Sequence, residues 1–409
     1  MRKKIFYSIV VICFIAGCAP RVKKEIIELG PFVRVHLATI DTNDVIFFKN
    51  TYYLIAEEAR YEFGERNQNM TIVPLTNGIQ LYNANRNLLY RNHFPITIVP
   101  EDDNNHFVFR GREYSGAIIF DSASDTSLYI INKLPLEEYL KGVVPAEITS
   151  TKTEYFEAMK AQAICCRTYA ISKLENSTNN PFDLYSSTLD QVYNGYKNHT
   201  PLADQAIIET KGTIITYNGK PAHVYYHSTC GGKLEAAENL WPEQNALYLK
   251  GGIDAVSDTY SCSSSPYFRW IEERSIEQLD SAFWKQFNRS ALQQPIKDTL
   301  NLEFILNITK RHTSGRVAEV EITYSDTTVT LQGYNIRRFF AQPPKQYLKS
   351  SLFYFSQAND STLKIRGAGY GHGAGMCQYG ALFMAKQGFP YYQILSKYFP
   401  GTKLSKLYN

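Results

Sequence analysis

The stretch Leu134-Pro-Leu-Glu-Glu-Tyr-Leu-Lys-Gly-Val-Val-Pro-Ala-Glu-Ile148 is soon followed by Glu157-Ala-Met-Lys-Ala-Gln-Ala-Ile-Cys-Cys-Arg-Thr-Tyr-Ala170. Residues 134–140 read as a short helix with proline at its start, and residues 143–148 as a turn. Thr151-Lys152-Thr153-Glu154 has the pattern of a capping box and opens a long alanine-rich helix over 155–174. The flanking text is strand-like, so one long helix in a mainly β context predicts an α+β fold.

Outward from this centre, residues 19–110 read as a β-rich accessory domain. Val33-Arg34-Val35-His36-Leu37 alternates, and Thr71-Ile72-Val73 and Phe107-Val108-Phe109 carry branched and aromatic residues between Asn, Asp and Gly breaks. Strands continue over 116–120 and 128–131. The expected catalytic domain covers 111–409, interrupted by an inserted β-rich subdomain over 271–355 with a helical start at 275–287 and strands over 317–324 and 328–331. A glycine-rich loop at 367–375 precedes a last helix over 378–387, with Gly388 past its end.

The N-terminus reads as an export signal over residues 1–18. Arg2, Lys3 and Lys4 precede an apolar run over 5–15, too short to span a bilayer of about 30 Å. Ile15-Ala16-Gly17-Cys18 resembles a lipobox, which implies a membrane anchor through lipidated Cys18. The formal charge is +4, and +1 without those three basic residues, so composition offers no electrostatic case for nucleic acid. Aromatic content is 14%, with 30 tyrosines, which suits sugar binding and β-sheets equally. Of seven cysteines, Cys13 and Cys18 fall in the signal; the remaining five are too few for a disulfide scaffold.

Four segments carry candidate chemistry. Glu147 sits between apolar residues, where a raised pKa would suit a general acid; a solvated glutamate near a helix start is the plain alternative. His223 and His227 are four apart, but on a strand that is about 13 Å, too far for one zinc. His227-Ser228-Thr229-Cys230-Gly231-Gly232 could pair a cysteine with a histidine, though no third orienting residue is identifiable. Gly369-Tyr-Gly-His-Gly-Ala-Gly-Met376 allows close backbone approach to a ligand. Its glycine spacing and C-terminal position do not fit a dinucleotide loop, and no Lys-Ser/Thr follows for a phosphate loop.

Together and in this order, these segments resemble the SpoIID/LytB family. Further matching stretches are Gln191-Val-Tyr-Asn-Gly195, Glu238-Asn-Leu-Trp241, Ser265-Pro266 and Gly369 through Met376-Cys-Gln-Tyr-Gly-Ala381. The family includes lytic transglycosylases of peptidoglycan and proteins named as enhancers of cell-wall amidases. The resemblance therefore implies peptidoglycan glycan strands as partner, a cell-wall amidase as a second candidate partner, and an envelope location. It implies Glu147 as catalytic acid and places His227, Ser228, Gly231, Gly371, His372, Gly373 and Gln378 along the cleft. Several relatives hold a zinc through two cysteines before the Gln-Val-Tyr motif. Residues 184–190 here contain none, so no metal or other cofactor is expected there.

A lytic transglycosylase can work with one carboxylate, because the C6 hydroxyl of the sugar supplies the nucleophile and closes a 1,6-anhydro ring. Two rivals remain: a non-enzymatic glycan-binding module, and a hydrolase pairing Glu147 with Glu235 or Glu238. Cys165, Cys166 and Cys377 fall where relatives often carry Ala or Ser and read as buried small residues. That leaves Cys230 and Cys262 as an expected disulfide, with two free thiols or a zinc shared with His227 as alternatives.

Overall fold

A computed structural model describes residues 30–409 except 57–58, 64–67, 178, 244–245, 276, 280–281, 283–303, 325–326, 343–345 and 360–361. Cys18 and the export signal lie outside the described residues, as does most of the expected helix at 275–287. The fold is α+β.

The N-terminal strands form two sheets. Strand Phe32–Ile40 lies antiparallel to Ser127–Pro135, with Phe32 opposite Pro135 and Ile40 opposite Leu128. These belong to a seven-stranded sheet that takes in Leu184–Tyr185 at one edge. A six-stranded sheet includes Asp44–Phe48, Gln68–Leu75 and His106–Phe109. The alternation seen in the sequence is realised: Val33 and Val35 are fully buried. One apolar core joins these strands to the alanine-rich helix, so Phe48, Ile72 and Ile118 share a cluster with Ala161 and Ile164.

Strand Ser127–Pro135 runs directly into helix Leu136–Glu147. The helix buries Leu136, Tyr139, Leu140, Val143 and Val144, the spacing of one helical face. It is longer than the sequence suggests. The expected turn at 143–148 is helical up to Glu147, with Pro145 inside the last turn. Burial of the two valines holds this turn, where a proline removes one hydrogen bond at most.

The expected long helix begins with a 3-10 turn, Thr153–Tyr155, followed by α-helix Phe156–Leu174. The capping-box bonds do not form; no side-chain cap is present at Lys152 or Tyr155. Glu154 instead faces Lys386, 3.9 Å away. Ala158, Ala161, Ala163 and Ala170 are fully buried, and these small residues allow neighbours to approach from several sides. Arg167 makes a bidentate ion pair with Glu137, 2.8 Å at each contact, and Tyr408 donates to the same carboxylate at 2.6 Å. The two helices and the C-terminal segment are thus tied together.

A second core contains Trp270, Val320, Ile322, Phe339, Phe353 and Ile365. The strands expected over 317–324 and 328–331 are found as Val317–Tyr324 and Thr327–Gln332. Strand Trp270–Ser275 pairs with Thr362–Gly367, so this core draws on residues beyond 355. Among the described residues no helix is long and apolar enough to cross a membrane.

Candidate active site

Two distant motifs make one layer. Tyr226–His227 pairs in parallel with Met376–Cys377. Thr229 and Tyr370 then exchange backbone hydrogen bonds at 3.1 and 2.8 Å. The alanine-rich helix lies behind this layer: Cys165 Sγ is 4.0 Å from Met376 Sδ, and Gln162 Oε1 accepts from Gln378 Nε2 at 3.4 Å.

Glu147 ends its helix half-buried. Its Oε1 accepts the Val192 backbone N–H at 2.8 Å, and the side chains of Gln378 and Tyr226 also hydrogen-bond to it. Burial pushes its carboxyl pKa above the ordinary value, while these donors pull the other way. The loop carrying Val192 is anchored by Asp190, which accepts from Tyr169 Oη at 2.7 Å and the Tyr185 N–H at 2.8 Å and pairs with Lys173 at 2.7 Å.

Gln191 and Val192 lie in one of the matching stretches and Tyr226 directly before the His227 motif, and none of the three is among the expected site residues. Tyr226 Oη accepts from Gln191 Nε2 at 2.9 Å, which leaves its own proton to point at Glu147. Only the fold shows that two motifs more than thirty residues apart converge on one carboxylate.

His372 accepts the Ala374 N–H through Nδ1 at 3.2 Å. It must therefore be neutral, and its Nε2–H donates to the Tyr226 carbonyl at 2.9 Å. Burial holds its pKa down at about 4, consistent with that tautomer. His372 straps the backbone that carries Tyr226. His227 donates from Nδ1 to the Ala374 carbonyl at 3.0 Å, and its buried Nε2 has no partner. Burial and the neighbouring His372 and Arg316 keep it neutral. His223 is exposed, and the chain from it to His227 is not helical.

The remaining predicted site residues lie around this layer, several with protein partners. Gly371 has φ +112°, and a Cβ there would meet His227 Cβ at 2.8 Å. Gly373 has φ +93° and lies against the Arg316 guanidinium, where a Cβ would stand 2.3 Å from Cζ. The close approach these glycines permit is to the protein's own side chains. Ser228 is half-buried and its carbonyl accepts the Tyr379 N–H at 3.1 Å. The Gly231 carbonyl accepts from Arg269 at 3.0 Å. Gly231 borders an open cavity of 860 Å³ whose lining includes Lys233, Tyr260, Arg311 and Tyr354; Glu147 is not part of that lining.

The proposed second carboxylates sit elsewhere. Glu235 is buried and accepts from the Ala236 N–H (2.9 Å), Asn239 Nδ2 (2.8 Å) and Ser314 Oγ (2.6 Å). Glu238 is exposed.

The expected Cys230–Cys262 disulfide is not what the structure contains. Both are free thiols with sulfurs 3.4 Å apart, against about 2.05 Å in an S–S bond. Pairing them by elimination overlooked Cys377, whose thiol joins them.

Residues 124–217, which include Glu147 and Val192, match the family model described as stage II sporulation protein. A stage II sporulation protein D from Bacillus amyloliquefaciens is 30% identical over 298 residues, 69% of this chain and 77% of the relative. The chain belongs to the stage II sporulation protein D family. An uncharacterized protein of Brachyspira hyodysenteriae is also 30% identical, over 73% of this chain and 74% of its own length. A relative from Bacillus subtilis named amidase enhancer is 30% identical over 301 residues; the chain covers 40% of it. Residues 253–375, which contain the second core, match a domain of unknown function.

Proposed function

We propose that this family member is a lytic transglycosylase of the cell envelope that cleaves peptidoglycan glycan strands, probing them through the cleft around Glu147 and leaving 1,6-anhydro-muramic ends. The observation that carries this reading is the setting of Glu147. It is a single half-buried carboxyl with its pKa raised by burial, and its hydrogen-bond partners are an amide N–H, a glutamine and a tyrosine rather than a second carboxylate. Protonated, Glu147 delivers its proton to the glycosidic oxygen. The carboxylate that results takes the proton of the C6 hydroxyl as that oxygen attacks C1 and closes the ring. Val192 N–H, Tyr226 and Gln378 stabilise the intermediate carboxylate, so the residue can alternate between its two forms.

The bonds that occupy Glu235 weigh against a two-carboxylate hydrolase. Lipidation at Cys18 would hold the enzyme at a membrane facing the wall, and the intact mass of the native protein tests it.

The second reading, a glycan-binding partner of an amidase, draws on the relative named amidase enhancer. Digestion of glycan strands with and without stem peptides separates the readings. Anhydro-ended products support the transglycosylase, water-added ends a hydrolase, and uncut but bound strands the binding module.

A further inference from the structure

Three of the five described cysteines converge with one aspartate at a point the proposed reaction does not use. Cys230 comes from the His-Ser-Thr-Cys-Gly-Gly motif, and Asp254 follows strand Lys250–Ile253. Cys262 follows the hairpin Ala255–Val256/Thr259–Tyr260, and Cys377 caps the helix Gln378–Lys386. All four are fully buried. Their donor atoms lie within 4.8 Å of one another, with Cys230 Sγ 3.4 Å from Cys262 Sγ and 3.2 Å from Asp254 Oδ2. Tetrahedral zinc, with Zn–S near 2.3 Å and Zn–O near 2.0–2.2 Å, sets donors about 3.3–3.8 Å apart.

The surroundings have the character of a metal site's outer layer. The Cys230 N–H points at Cys377 Sγ and the Gly232 N–H at Cys230 Sγ, both at 3.3 Å. Lys397 Nζ holds Asp254 Oδ1 at 3.0 Å, Tyr398 Oη lies 3.2 Å from both carboxylate oxygens, and Oδ2 also faces Cys230 Sγ.

We propose that Cys230, Asp254, Cys262 and Cys377 form a structural zinc site. Four protein donors close the coordination shell and leave no open position for substrate. Soft thiolates select zinc over magnesium or calcium. Each thiol that binds releases its proton to solvent; three thiolates and a carboxylate around Zn²⁺ leave a charge of −2, which Lys397 partly offsets. The metal would staple four segments beneath the layer that presents Tyr226 and Gln378. Its rival is the Cys230–Cys262 disulfide, in which Cys377 takes no part.

The test measures metal and cysteine state on the full chain. Protein isolated under non-reducing conditions, then reduced, loaded with zinc and dialysed, is analysed for metal and by peptide mapping. The expected result is one zinc per chain and separately alkylated Cys230 and Cys262 peptides in the isolated protein. Cobalt in place of zinc should give the intense visible bands of a tetrahedral thiolate site. Cys377→Ala, or Asp254→Asn where that variant does not fold, should retain less than a tenth of the zinc. A linked Cys230–Cys262 peptide, failure of the loaded wild type to retain zinc, or equal retention by the variants overturns the site.

Discussion

Glu147 is where burial and hydrogen bonding oppose each other. Burial raises its folded-state pKa above that of the unfolded chain, so the folded state holds the proton more tightly. Stability from this group is complete below the unfolded pKa and is lost as pH rises through the folded value. Glu147→Gln cannot ionise and keeps an acceptor for Val192 N–H. Thermal melts should therefore find it more stable than wild type at neutral pH and converging on it in acid. A tenfold change in proton affinity corresponds to about 1.4 kcal/mol. A variant less stable at neutral pH would mean the carboxylate is better accommodated than its burial implies.

Tyr226→Phe removes a donor that favours the charged form. The alkaline limb of the activity profile should move to higher pH, with a stability loss of about 0.5–1.5 kcal/mol. An unmoved limb would remove Tyr226 from the acid's environment. Glu147 itself was legible as a candidate through the family resemblance, while its local sequence favoured a solvated glutamate. Its donors come from residues 192, 226 and 378, and no local pattern connects them.

At the level of elements, both central helices were legible: the alanine-rich one lies within a residue of its expected span, whereas the preceding one runs on to Glu147. The turn expected over 143–148 is instead helical to Glu147 with Val143 and Val144 buried, and Thr151-Lys152-Thr153-Glu154 suggested a cap that does not form. The glycine-rich loop was legible as a place of close approach, although not as one occupied by Arg316 from the inserted region. Arg316 donates to the Cys230 and Lys233 carbonyls at 2.8 Å each while lying against Gly373. Gly373→Ala places a side chain at positive φ and against that guanidinium. It should cost more than about 1 kcal/mol in denaturant unfolding and loosen the loop, measured as faster amide exchange near His372. Unchanged stability would show that Arg316 moves aside freely.

Across the whole molecule, the α+β class followed from one alanine-rich helix among strand-like runs. The sharing of cores did not. A sequence reading separates residues 19–110 from the rest, yet strand Phe32–Ile40 pairs with Ser127–Pro135 and buries Val33 and Val35 in the core that backs Glu147. Long-range pairing of this kind depends on register between strands some ninety residues apart, which local alternation does not encode. Removing residues 30–110 should therefore abolish cooperative unfolding, whereas an independent accessory domain would leave the remainder with a sharp transition of its own.

In the proposed reaction Glu147 is the only acid and base. Peptide-free glycan strands, incubated with wild type and with Glu147→Gln and resolved by mass spectrometry, test this most directly. Wild type should release 1,6-anhydro-muramic ends, and the variant should do so about 10²–10⁴-fold more slowly while still binding strands. Anhydro products formed equally fast by both proteins, or water-added ends from wild type, would contradict it.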